Sequence, residues 1–266
     1  MDKLRELQLK IMDEIHRICA KNRVEYFLDS GSLLGAIRHN GYIPWDDDVD
    51  VGMTLDNYDK FLKAAETDLG EEFFVDNYIT NEDCPYVFTK IRLKGTKYVE
   101  CIAQNPKLKN EIFVDIFPYY YVADNELLRR IEAIQMTWLS HVIMAKSGVK
   151  VWTGQGKLKQ LKFLPVVLIS GMTRKSKLYN KVERLLRKHK DTGRMCIQGG
   201  GSFYLYWYMP VRIFQQFELH PFEDRSYFIL SEYDEYLSRA YGDYMKLPDE
   251  KDRITHSVIK VDYGKY

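Results

Sequence analysis

Cysteine is scarce in this chain of 266 residues: Cys19, Cys84, Cys101 and Cys196 stand far apart, with no CxxC pair among them. That spacing supports neither a zinc knuckle nor a disulfide framework, and reduced thiols in the cytoplasm are the plain expectation. No uninterrupted apolar run reaches 18 residues, which excludes an evident membrane-spanning helix. The chain opens with charged Met1-Asp2-Lys3 rather than a basic segment followed by an apolar core, so no secretory leader is expected. Internal repeats and low-complexity linkers are also lacking. Neither charge sign dominates, with 39 Lys or Arg against 38 Asp or Glu.

What is present is a local concentration of acid. In Asp46-Asp47-Asp48-Val49-Asp50-Val51-Gly52, polar and apolar residues alternate. On a β-strand Asp48 and Asp50 would project from one face while Val49 and Val51 bury on the other. Two carboxylates on one face call for a shared proton, a basic neighbour or a hard cation such as Mg2+. A solvated turn is disfavoured by Val49, Val51 and Met53. An EF-hand loop counted from Asp46 fails, because Val51 stands where Gly is required and Asn57 where the bidentate Glu is required. A sugar-nucleotide DxD motif has the same spacing and stays open.

About sixteen residues upstream, Tyr26-Phe27-Leu28 runs into Asp29-Ser30-Gly31-Ser32 and then a short helical pattern. Backbone N–H groups at such a turn hold phosphate with help from the helix dipole, and Ser32 is the expected cap. A third acid lies further on, where Asp115 sits alone among the apolar residues of Glu111-Ile112-Phe113-Val114-Asp115-Ile116-Phe117-Pro118, a strand expected to close at the proline. An Asp in such a setting is rarely buried without a partner or a metal.

The block from Phe27 to Met53, containing Asp29-Ser30-Gly31-Ser32-Leu33-Leu34-Gly35 and Pro44-Trp45-Asp46-Asp47-Asp48-Val49-Asp50, resembles the signature of the LicD family. Val114-Asp115-Ile116-Phe117-Pro118 and Tyr241-Gly242-Asp243-Tyr244 add to the resemblance, which extends from about residue 10 to the C-terminal end. It implies an α/β protein, an α+β mixed sheet with a nucleotidyltransferase-like catalytic core, a helical basic insertion and additional C-terminal elements. One LicD-like domain over 1–266 is expected: core at 1–125, basic helical middle at 126–200, and aromatic strands with a helix at 201–266 completing the site.

The resemblance further implies transfer of phosphocholine from CDP-choline, or of a related CDP-alcohol such as ribitol or glycerol phosphate, to a hydroxyl of a lipid-linked glycan of teichoic acid or lipopolysaccharide type. A non-catalytic glycan-binding relative at the membrane is the alternative. The family's metal positions fall on Asp48, Asp50 and Asp115, for Mg2+ or Mn2+, and its phosphate-binding turn on Gly31 and Ser32. Asp115 either completes the metal site or accepts the hydroxyl proton. Arg38, Lys90 and Arg92 are candidate phosphate contacts because their cations pair with phosphate oxygens. A quaternary ammonium needs aromatic faces. Among 20 Tyr and 4 Trp, Trp45 beside the acidic strand is the best placed, Tyr119 is a second candidate, and Tyr120, Tyr121 and the Tyr204-Tyr208 cluster stand behind them. His256 is a further candidate for phosphate; His39 has no assigned task.

Charge is unevenly spread. From Lys146 to Lys190 thirteen Lys or Arg face one acid, Glu183, so +12 sits there and −11 elsewhere in a chain of net +1. Within it, Phe163 to Met172 is apolar but too short to span a bilayer, and contact with the inner membrane leaflet is one reading. Nucleic acid is not expected, since the basic stretch carries few aromatics.

Helices are expected from Leu4, Leu7, Ile11, Ile15 and Ile18, from Thr54 to about Leu69, over 124–145, and after Ser231-Glu232-Tyr233-Asp234, whose capping box is relaxed to Asp. Strands are expected at 24–28, 48–53, 72–77, 86–93, 97–102 and 112–117.

Overall fold

The computed structural model describes residues 2–101, 105–149, 171–197, 208–253 and 258–266. In chain order the first half contains α1 (Lys3–Asn22), β1 (Phe27–Leu28), α2 (Ser30–His39), β2 (Asp50–Thr54), α3 (Leu55–Asp68), β3 (Phe73–Asp76), β4 (Thr89–Leu93), β5 (Lys97–Glu100) and β6 (Phe113–Tyr121). The second half contains α4 (Glu126–Lys146), α5 (Lys175–Leu186), β7 (Arg194–Ile197), β8 (Tyr208–Pro210), β9 (Phe217–Phe222), β10 (Arg225–Leu230), α6 (Tyr233–Tyr241) and β11 (Val258–Asp262).

Seven strands form one mixed sheet ordered β1-β2-β6-β4-β3, with β7 on β6 and β8 on β7. The α/β architecture is thus as the sequence implied. At its centre β6 is almost wholly apolar and buried, as a strand covered on both faces must be. It lies parallel to β2, and its other edge is shared by β4 along the first half and β7 along the second. This sharing explains why the strand runs past Pro118 to Tyr121 instead of ending there. Asp115 sends its N–H to Val49 O on the β2 side, so alternation points position 118 at the opposite edge, in the gap between Thr89 and Ile197. No ladder bond is lost to the missing donor.

Helices α1 and α3 pack on each other and across β2, β4 and β6. The α1 stripe Leu7, Ile11, Ile15 and Ile18 is fully buried, and Asp2 caps the helix through a 3.0 Å bond from Arg5 N–H. The C-terminal part folds back onto the first half twice: β10 packs on β1, and β11 pairs with β5. Rings of Phe27, Tyr119 and Phe214 pack at tilted angles, with centroids 4.8 to 5.7 Å apart.

Some expected boundaries move. Strand β2 begins at Asp50, so Asp48 precedes it, although Val49 and Val51 remain buried as the alternation required. Thr54 stands before α3, but its hydroxyl accepts from Asn57 Nδ2 at 3.0 Å instead of capping the backbone. Helix α4 starts at Glu126 instead of 124, capped by Asn125. The helix after Ser231 starts at Tyr233, which puts Glu232 and not Ser231 at the cap position, with no side-chain cap; the Ser231 N–H donates to Gln216 O at 3.0 Å. Tyr204, Tyr206, Trp207, His256 and most of the apolar segment from Phe163 lie outside the described residues.

Candidate active site

The acids gather where β2 and β6 run side by side. Asp50 and Asp115 are direct register partners, one on each parallel strand. Asp50 N–H donates to Ser32 Oγ at 2.9 Å, and Asp50 O accepts from Asp29 N–H at 2.9 Å, which ties β2 to the start of α2. Just before β2, one carboxylate oxygen from each of Asp46, Asp47 and Asp48 falls within 4.8 Å of the others, the one such three-residue cluster among the described residues. Asp50 and Asp115 flank this set without belonging to it.

The acidic loop is held from outside. Arg5 on α1 donates through Nη2 to the carbonyls of Ile43, Pro44 and Asp46 at 3.0 to 3.1 Å, and Gln8 Nε2 donates to Asp47 O at 2.7 Å. Tyr98 on β5 donates to Asp47 Oδ2 at 2.5 Å. A loop gripped by its backbone keeps its carboxylates aimed even though like charges push them apart.

That repulsion appears in the titration of Asp50, whose carboxyl is raised well above the ordinary range by burial and then by Asp48, Asp115, Asp29 and Asp46. A group so placed favours a proton or a cation. Burial also raises Asp115, against the opposing pull of Lys90, whose ammonium lies 2.8 and 2.9 Å from the two oxygens. Lys90 itself is buried and boxed by the rings of Phe113, 3.3 Å from ammonium to centroid, and Tyr86 at 4.8 Å.

The turn before α2 differs from expectation in one respect. Asp29, not Ser32, is the cap: its Oδ1 accepts from Ser30 N–H at 2.8 Å, and Ser30 takes φ of 47°. Ser32 sits within the first turn, which frees its hydroxyl to receive the N–H of Asp50. Asp29 is fully buried and its Oδ1 also accepts from the hydroxyls of Tyr119 (2.8 Å) and Tyr236 (2.5 Å), whose oxygens lie 2.8 Å apart. Burial pushes its carboxyl up to about 6 against these donors. Gly31 faces the acidic loop so closely that an added Cβ would stand 2.8 Å from Asp46 Oδ2. A side chain at position 31 would push the Asp46 carboxylate from its place.

The other candidate residues are placed as follows. Lys90 faces Asp115. Arg92 points elsewhere: its Nε bonds Asp76 Oδ2 at 2.6 Å and its Nη1 bonds Glu111 O at 2.8 Å, in a buried ion pair that leaves no fork for phosphate. Arg38, in the last turn of α2, donates to Tyr244 O at 2.7 Å and ties that helix to the C-terminal segment. Trp45 is half-buried at the end of the acidic loop, with Arg253 stacked 4.4 Å over its ring and His39 edge-on at 6.3 Å. Tyr119 has no accessible surface, so its ring meets Phe27 and Phe214, not a ligand. Sequence reasoning passed over Asp29, Arg5, Gln8, Tyr98 and Tyr236. An Asp directly before Ser-Gly-Ser was the one local signal, since Asp caps as well as Ser does.

A mixed sheet with carboxylates on adjacent parallel strands, beside a Gly-Ser helix start, defines a nucleotidyltransferase-like domain. The family described as LicD/FKTN/FKRP, nucleotidyltransferase domain, matches residues 23–147, and this chain belongs to that family. The lipopolysaccharide cholinephosphotransferase LicD of Haemophilus influenzae is 30% identical over 269 residues, 96% of each chain. The ribitol 5-phosphate transferase FKRP of Mus musculus is 30% identical over 118 residues, 44% of this chain and 20% of that one. An uncharacterized protein of Rickettsia prowazekii, RP689, shares 48% over 44 residues, 16% of each chain. The relatives with a named activity are phosphotransferases.

Proposed function

We propose that the chain transfers phosphocholine from CDP-choline to a hydroxyl of a cell-surface glycan precursor, of teichoic acid or lipopolysaccharide type, with Mg2+ or Mn2+ as cofactor. The Asp50–Asp115 juxtaposition beside the Asp46-Asp47-Asp48 loop is the observation that carries the reading. The donor set fits a hard cation. It is all oxygen, it draws Asp48 from a loop whose three carboxylates each bring an oxygen within 4.8 Å of the others, and it includes Asp50, a buried carboxyl that resists ionising alone. Asp48, Asp50 and Asp115 are the ligands we assign. A bound cation would neutralise the diphosphate and compensate CMP as it leaves.

The chain's own groups supply the rest. The first turn of α2, with Gly31 and Ser32, presents backbone N–H groups to a phosphate beside the acids. Lys90 holds Asp115 oriented toward Asp50, and Arg38 stands at the far end of α2. The ring of Trp45 already accepts a cation from Arg253, so a quaternary ammonium would compete for that face. The lengthwise match to the Haemophilus influenzae protein favours choline. The partial match to FKRP favours ribitol phosphate as the second reading.

Purified protein with Mg2+ or Mn2+, CDP-choline and a lipid-linked glycan extract should release CMP, followed by 31P NMR. CMP from CDP-ribitol alone would select the second reading. No CMP from any CDP-alcohol, with acceptor supplied, would sink both, and pyrophosphate released from an NTP would mark a nucleotidyltransferase instead.

A further inference from the structure

Helix α4 carries an apolar row on its outer face as well as its inner one. Leu127, Ile131, Ile134 and Trp138 recur at i, i+4, i+7 and i+11, exposed by 70, 45, 61 and 37%. Leu128 lies beside them. The inner face of the same helix is an ordinary core stripe, with Ala133, Met136, Leu139 and Ile143 buried. An exposed row of this length, about 17 Å from Leu127 to Trp138, is not needed for folding and is costly to leave in water.

The neighbouring helix repeats the spacing in charge. α5 packs against α4, and Glu132 of α4 bonds Lys188 at 2.6 Å and His189 at 2.9 Å just beyond its end. Leu178, Tyr179, Val182 and Leu186 are its buried side. Its outer side presents Lys177, Lys181 and Arg184, again at i, i+4 and i+7 and all exposed. Met172, 87% exposed, precedes it.

We propose that the α4–α5 pair is a docking face for an anionic lipid bilayer, with the α4 row inserted at the level of the acyl boundary and the α5 row over the headgroups. Apolar burial and attraction to anionic lipid add on such a face. Trp138 at the end of the row suits the interface, where an indole has an apolar body and a polar tip to satisfy. Spanning is ruled out for α4 by its charged residues, and no helix among the described residues is long and apolar enough to cross a membrane. A second copy of the chain would bring two cationic rows together, and a polyanion such as nucleic acid would leave the apolar row unused. The face lies on elements outside the acidic site, and its test does not depend on the reaction proposed above.

The test uses the full chain and sucrose-loaded vesicles of phosphatidylcholine, with and without one third phosphatidylglycerol. Cosedimentation should require the anionic lipid and be reversed by 0.5 M NaCl. Ile131→Ser/Ile134→Ser should lower partitioning about tenfold or more, and Lys181→Gln and Arg184→Gln about fivefold each. All four positions are exposed, so circular dichroism and CMP release with a soluble acceptor should stay unchanged. Equal binding to neutral vesicles, or undiminished binding by the Ile variant, would overturn the proposal. So would a dimer in light scattering that Ile134→Ser dissociates, which would make the face an interface between copies. Vesicle binding without CMP release from any CDP-alcohol would leave this face standing while the proposed reaction fell.

Discussion

Asp50 on β2 and Asp115 on β6 sit opposite each other in parallel register, yet only Asp115 has a lysine beside it. The asymmetry divides the work between two like groups. Lys90 stabilises the ionised form of one carboxylate, while the other is surrounded by Asp48, Asp115, Asp29 and Asp46. Asp50 is therefore the position where the folded chain is least at ease by itself and where a cation would relieve it most.

Asp50→Asn separates stability from activity. Removing the charge should raise Tm in metal-free buffer at pH 8 by about 2–4 °C, the equivalent of about 1 kcal/mol in a chain of this size. CMP release should fall about a thousandfold. Differential scanning fluorimetry beside the CMP assay reads both. An activity close to wild type would remove Asp50 from the metal site.

The raised carboxyls also set a pH dependence. A carboxyl whose folded pKa exceeds its unfolded one binds more protons when folded, so its contribution is fully present below the unfolded value and is lost as pH rises through the folded one. For buried Asp29, raised from 3.8 to about 6, the loss runs between about pH 4 and pH 6 and amounts to on the order of 3 kcal/mol. Asp50 extends the decline upward. Urea midpoints of wild type minus those of Asp29→Asn should therefore shrink as pH rises from 4 to 7. Added Mn2+ should stabilise the wild type more at pH 8 than at pH 5, because its ligands must be deprotonated. A flat difference curve would mean that Asp29 stays ionised throughout.

Asp50 and Asp115 could be read from the sequence because each interrupts an apolar, strand-like run, and such an acid needs a partner. Their pairing could not, since register depends on β6 lying parallel to β2 across more than sixty intervening residues. The cap of α2 is hidden from the sequence for a related reason. Asp29 and Ser32 are equivalent caps locally, and the choice is made by Tyr119 and Tyr236, which are 90 and 207 residues away in sequence. Arg92 shares a strand face with Lys90, but its partner Asp76 belongs to β3, and only the antiparallel pairing of β3 with β4 brings the two within 2.6 Å.

Lys90→Met tests the supporting pair. It leaves Asp115 buried without its cation, a loss of about 3–5 kcal/mol measured in urea. Asp115→Asn in the same chain should recover part of this, because the unpaired charge goes with it, yet activity should stay lost in the double variant. If the single substitution proves neutral, Asp115 takes up a proton at little cost and Lys90 is packing, not counter-charge.

Arg5 tests whether the acidic loop must be gripped to bind a cation. Its guanidinium reaches three carbonyls between Ile43 and Asp46 and stacks 4.8 Å over the Tyr42 ring, while its helix contributes no acid to the site. Arg5→Ala should weaken Mn2+ binding about 10–100-fold by calorimetry, the usual effect of losing a group that orients the ligands. Arg5→Lys should recover little, because an ammonium cannot reproduce the planar fork across several acceptors. The global stability loss should stay near 1–3 kcal/mol. Unchanged Mn2+ affinity in Arg5→Ala would show that Gln8 and Tyr98 hold Asp47 and its neighbours by themselves, and Gln8→Ala/Tyr98→Phe would then carry the defect.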